Sequence, residues 1–159
     1  MFQGGIVFIM PSGNMGSWVV KVIVDHAGKT GTAVLPVNIG SSASPRLKSF
    51  ISRHDNSKIF VALLEPANPK VGVNDLEIGI YRSNSMMHYP ADSSLKVIVT
   101  PEMPTMGHGS PNNVDPTHAG NGRYKGKVNF TMTGLWHLNM DFMAGTVVAD
   151  TSTFFEVNF

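Results

Sequence analysis

The chain has 159 residues, with 12 Lys or Arg against 11 Asp or Glu and charged residues at only 14%. The basic residues are scattered, which excludes a nucleic-acid-binding face, and the lack of cysteine excludes disulfides and thiolate metal sites. An apolar content of 42% supports a core for one domain, or one domain and part of a second, and no apolar run is long enough to cross a bilayer as a helix.

From the N-terminus, the segments GGIVFIM (4–10), SWVVKVIVDH (17–26) and TAVLPVNI (32–39) read as three strands. MFQGGIVFIMPSG has no basic start and its apolar run is broken by glycine, so it does not read as a signal peptide. NIGSSASPR is small and polar, and residues 41–56 are expected to be a linker. Within SPRLKSFISRH, Ser44 and Pro45 offer the cap and first turn of a short helix. KIFVALLE, LEIGIYRS and SLKVIVT follow as three further strands.

The last three segments alternate most clearly. YKGKVNFTM places Tyr124, Val128, Phe130 and Met132 on one face. LWHLNMDF places Trp136, Leu138, Met140 and Phe142 on one face and His137, Asn139 and Asp141 on the other. STFFEVNF groups Phe155, Val157 and Phe159. About nine strands joined by Gly, Pro, Asn and Ser turns predict an all-β chain folded as a β-sandwich.

The chain also repeats itself. FQGGIVFIM (2–10) aligns without gaps on YKGKVNFTM (124–132), matching Gly4 with Gly126, Phe8 with Phe130 and Met10 with Met132. A turn and a tryptophan follow each, Trp18 and Trp136, and each copy closes on a similar ending, PVNI (36–39) and EVNF (156–159). Residues 1–40 are therefore expected to be the last three strands of a preceding unit, with residues 57–159 a complete one. On this reading Met1 is not the natural start. The apolar face of the first segment is expected to pack against the complete domain or to form a dimer with its counterpart in a second molecule.

Between the strands ending at Thr100 and starting at Tyr124 lies PEMPTMGHGSPNNVDPTHAG. Thioethers are soft donors that favour Cu(I), and imidazole binds several transition metals. Met103, Met106 and His108 fall within six residues, with His118 later in the same connection. Two other readings fit the same residues. The methionines can fill gaps at the end of the core, with Gly107 and Gly109 serving a turn. Alternatively, Glu102, Asn112, Asn113 and Asp115 can supply oxygens to calcium, although their spacing matches no standard calcium loop. Met86, Met87 and His88 form a second Met/His group, expected at the opposite end of the sandwich. His26 and His54 have no partner pattern. The sequence holds no G-x-S-x-G, HExxH, P-loop or dinucleotide glycine motif, so an enzyme is not expected.

Taken together, Met103, Pro104, Met106 and His108, then Gly122, Tyr124 and Gly126, then Met132, Gly134 and Trp136 resemble the YtkA-like, or FixH-like, family of exported bacterial domains. The resemblance covers residues 57–159 and is strongest to versions from Bacteroidetes-type bacteria, often lipid-anchored. It implies an immunoglobulin-like sandwich in the periplasm or at the outer membrane. The function it implies is non-catalytic handling of copper, as Cu(I), or a related heavy metal, in contact with an envelope protein partner. The alternative class is a structural or protein-interaction module without metal.

Overall fold

The structure is a computed structural model that describes residues 6–13, 16–86 and 88–159. Two compact units are present, residues 1–43 and 44–159.

In the first unit, β1 (Trp18–His26) and β2 (Lys29–Val37) form an antiparallel hairpin whose register runs from Trp18↔Val37 to His26↔Lys29. Its two-residue loop, Ala27–Gly28, takes positive φ at both positions (49° and 74°), the geometry that matches the strand twist. Both β1 and β2 correspond to expected strands. The third one does not: residues 6–10 form no strand, and residues 1–5 lie outside the described residues. A strand needs a ladder to satisfy its amides, and no strand of the described residues pairs with 6–10.

The second unit contains β3 (Leu47–Ile51), β4 (Lys58–Glu65), β5 (Gly72–Arg82), β6 (Leu95–Met103), β7 (His108–Gly109), β8 (Val114–Gly120), β9 (Arg123–Phe130), β10 (Leu135–Ala144) and β11 (Val147–Asn158). One sheet runs β3-β4-β5-β9-β8 and the other β11-β10-β6-β7, with antiparallel neighbours throughout. The inner faces build one apolar core. Ile59, Val61, Ile78, Ile80, Val128 and Phe130 from the first sheet, and Val97, Trp136, Leu138, Met140 and Phe142 from the second, are fully buried.

The sheets join along both sides. The Arg53 amide donates to the Ala149 carbonyl at 3.0 Å and Phe50 packs on Phe142 with ring centres 4.9 Å apart, linking β3 to the sheet of β10 and β11. On the other side, the Val99 amide of β6 donates to Asp115 Oδ1 of β8 at 2.9 Å.

Three elements differ from the sequence reading. The expected helix over SPRLKSFISRH is instead strand β3, which lies inside the expected 41–56 linker. Its Leu47–Ile51 register with β4, the burial of Phe50, and Arg46 donating to the carbonyls of Leu63, Leu64 and Pro66 fix an extended chain there. A short helix has too few internal hydrogen bonds to compete with such pairing. The connection expected as one loop contains β7 and β8. Pro116 is tolerated in β8 because that strand is at the sheet edge. Met132, expected in the core, is 38% exposed, because β9 ends at Phe130 and the chain turns.

A methionine and histidine end of the sandwich

β6 carries Pro101, Glu102 and Met103 out to one end of the sandwich, and the chain reverses at once. The amides of Met106 and Gly107 both donate to the Met103 carbonyl, at 3.1 and 2.9 Å. Gly107 takes φ of +61°, a conformation that glycine enters without a Cβ penalty. The returning β7 then pairs Glu102 with Gly109 and Met103 with His108. Directly opposed residues of an antiparallel pair point to the same face with Cβ atoms about 5 Å apart. The tight turn thus puts the Met103 and His108 side chains on the same face.

Behind this pair stands the aromatic end of the core. His108 lies edge-on to Trp136, ring centres 6.2 Å apart, and Trp136 packs on Phe130 at 5.4 Å. The Trp136 indole Nε1–H donates to the Met132 carbonyl at 3.1 Å, fixing the 131–134 turn against the ring. Gly134 follows with φ of +128°, and its amide donates to the Phe159 carbonyl at 2.8 Å. A Cβ at Gly134 would come within 2.9 Å of Met103 Cε, so its absence gives the methionine methyl its space.

The three loop residues occupy different depths. Met103 belongs to the core at 4% exposure, so it does fill the end of the sandwich. His108 is half-buried. Met106 is 57% exposed on the turn. Met132, which alternation assigned to the core, is a partly exposed thioether on the neighbouring turn. Its sequence signal is its place two residues before Gly134 and four before Trp136.

His118 is not brought to this end. It is exposed on β8, in register with Tyr124, with the two rings 5.3 Å apart. Among the described residues the buried Tyr124 hydroxyl has no hydrogen-bond partner, and it lies near the Leu95 backbone at the start of β6. Met103 ends the same nine-residue strand, and at ~3.3 Å per residue the two ends of β6 are about 25 Å apart. His118 and His108 therefore cannot share one ion.

Met86 and His88 lie beyond the end of β5, near His118's end, as expected for the second Met/His group; Met87 lies outside the described residues. Of the four residues considered for calcium, Asn113, Asp115 and Glu102 each have a side-chain oxygen engaged in structure. Asn113 Oδ1 accepts the Asn129 amide, Asp115 Oδ1 the Val99 amide, and Glu102 an Asn139 side-chain hydrogen bond. His137 stacks on Phe154 outside the core. Among the described residues, no three His, Asp or Glu side chains converge on a metal position. A metal at the Met103 end would rest on thioether donors with one imidazole.

Residues 54–141 match the family described as YtkA-like. The chain belongs to the YtkA-like family. The matched span of this YtkA-like chain runs from before β4 into β10 and includes Met103, Met106, His108, His118, Met132 and Trp136. No curated protein and no solved structure gives a significant match.

Proposed function

We propose that the 44–159 unit is a non-catalytic domain of the cell envelope, exported to the periplasm or the outer membrane, that binds Cu(I) at the Met103 end of its sandwich. The observation that supports this reading is the Met103↔His108 register, which puts these two side chains on one face, with Met106 exposed on the turn between them. Soft, uncharged donors of this kind select Cu(I) over Zn(II). Met103 and His108 form the inner wall, Met106 closes over the ion from the turn, and Met132 is within the same end of the fold. The mixed exposure supports a site that takes up and releases metal to a partner. The envelope setting rests on the family, whose members the sequence resembles as exported domains.

Anaerobic titration against a chromophoric Cu(I) chelator, with Zn(II) in parallel, tests the proposal. Cu(I) is expected to bind more tightly than Zn(II), and the combined change Met103→Leu, Met106→Leu and His108→Ala is expected to abolish the difference. Wild-type protein without Cu(I) affinity leaves the structural or interaction-module reading in its place.

A further inference from the structure

Trp136 is where separate pieces of the chain meet. The His108 ring of β7 stands edge-on to the indole, with centres 6.2 Å apart. The Met132 carbonyl, just past the end of β9, accepts the indole N–H at 3.1 Å. Met103, at the end of β6, approaches the same 131–134 turn, since a Cβ at Gly134 would lie 2.9 Å from its Cε.

That turn is held on both sides. Phe130, before it, packs on Trp136 at 5.4 Å and on Phe159 at 5.3 Å. Gly134, in it, donates its amide to the Phe159 carbonyl at 2.8 Å. Met132 therefore stands on a fixed backbone, two residues from the place that the Met103 methyl approaches. Core packing does not account for its side chain. The alternation that buries Tyr124, Val128 and Phe130 ends with β9, and Met132 is outside the core.

Charge at this end is arranged consistently with a neutral donor set. Glu102, one residue before Met103, alternates to the opposite face of β6. There it is in register with His137, and its carboxylate accepts from the Asn139 side chain at 3.2 Å. The carboxylate adjacent in sequence is thus turned away from the Met103–His108 pair.

We infer that Met132 is a further ligand of the metal site, so that the donors are the thioethers of Met103, Met106 and Met132 and the imidazole of His108. The inference rests on the Cu(I) reading and adds a ligand from outside the 101–120 connection. All four donors are uncharged and three are soft, a set that selects Cu(I). The Trp136 N–H holds the Met132 backbone, and so sets the ligand of the second turn against the pair made by the first. A bound ion then ties the 103–108 turn to the 131–134 turn.

Met132→Leu tests this, because it removes the sulfur and keeps the carbonyl that Trp136 binds. Cu(I) is titrated anaerobically into the full chain against a chromophoric chelator. Affinity is expected to fall by at least about tenfold, with no fall in Met10→Leu, the methionine that the repeat aligns with Met132. Hydrogen exchange of the Trp136 indole N–H is followed in parallel, with the Trp18 indole, bonded to the Met10 carbonyl, as internal reference. Saturating Cu(I) is expected to slow Trp136 exchange in the wild type and not in Met132→Leu, since ligation by Met132 is what ties that turn to the ion. Unchanged affinity in Met132→Leu overturns the inference. So does a wild type in which Trp136 exchange is not slowed, or slowing that survives the substitution. If His108→Ala and Met106→Leu still weaken Cu(I) binding in those cases, the Cu(I) reading stands without Met132. A wild type that does not bind Cu(I) overturns both.

Discussion

The indole N–H of Trp136 is held by the carbonyl of Met132, 3.1 Å away, so the residue that closes the core also sets the turn beside the Met/His pair. Trp136→Ala removes a fully buried ring together with that hydrogen bond. A loss of roughly 3–5 kcal/mol in urea unfolding is expected. His137, one residue on, stacks on Phe154 and lies 3.7 Å from Glu156, a surface arrangement. His137→Ala is expected to cost no more than about 1 kcal/mol. Equal losses for the two variants would show the strand phase to be wrong.

Gly126 lies against the irregular part of β8, where the register with β9 shifts between Val114 and Thr117. A Cβ at Gly126 would sit 2.3 Å from the Val114 carbonyl oxygen and 2.9 Å from the Pro116 nitrogen, both backbone atoms. Gly126→Ala should therefore push β8 away, at about 1–3 kcal/mol, and expose the 114–117 amides to exchange. A variant of unchanged stability and exchange would mean that β8 does not pass so close.

Stability should fail on the acid side. Burial disfavours the charge on Asp92, but hydrogen bonds from Ser94 and the Arg82 guanidinium outweigh it and hold the carboxyl below its ordinary value. Asp150 is likewise opposed by burial and held low by Thr153 and Ser152. Both groups bind protons more weakly folded than unfolded, so their contribution is complete above the unfolded carboxylate value of about 3.9 and is lost as pH falls through the folded values. The urea midpoint should be flat from about pH 5 to 7 and drop below about pH 4, with a shallower drop in Asp150→Asn. A decline centred near pH 6 would point to histidine instead.

His118→Ala should leave Cu(I) affinity unchanged, because His118 stands at the other end of β6 from Met103. A loss of affinity comparable to that of His108→Ala would contradict the separation.

The sequence made the strands legible where one face is core and the other solvent. β10 is the clearest case, since Trp136, Leu138, Met140 and Phe142 are all fully buried, as their alternation requires. Local pattern was insufficient where pairing decides. Residues 47–51 follow a helix-like start at Ser44 and Pro45, yet extend because β4 lies alongside. β7 has two residues, too few to show any period, although it creates the Met103↔His108 pair. The ligand types in the loop could be read directly. Their grouping could not, because the separation of His118 from His108 depends on which end of β6 each connection returns to. The β9 alternation stops at Phe130, so extending it to Met132 puts that residue in the core while the chain turns it outward.

The most direct test of the copper reading is NMR of the methionine ε-methyl and histidine ring signals during anaerobic Cu(I) addition. Shifts confined to Met103, Met106, Met132 and His108, saturating at one equivalent, are the predicted result. Unmoved signals at those residues, or shifts centred on Met86, His88 or His118, would contradict it.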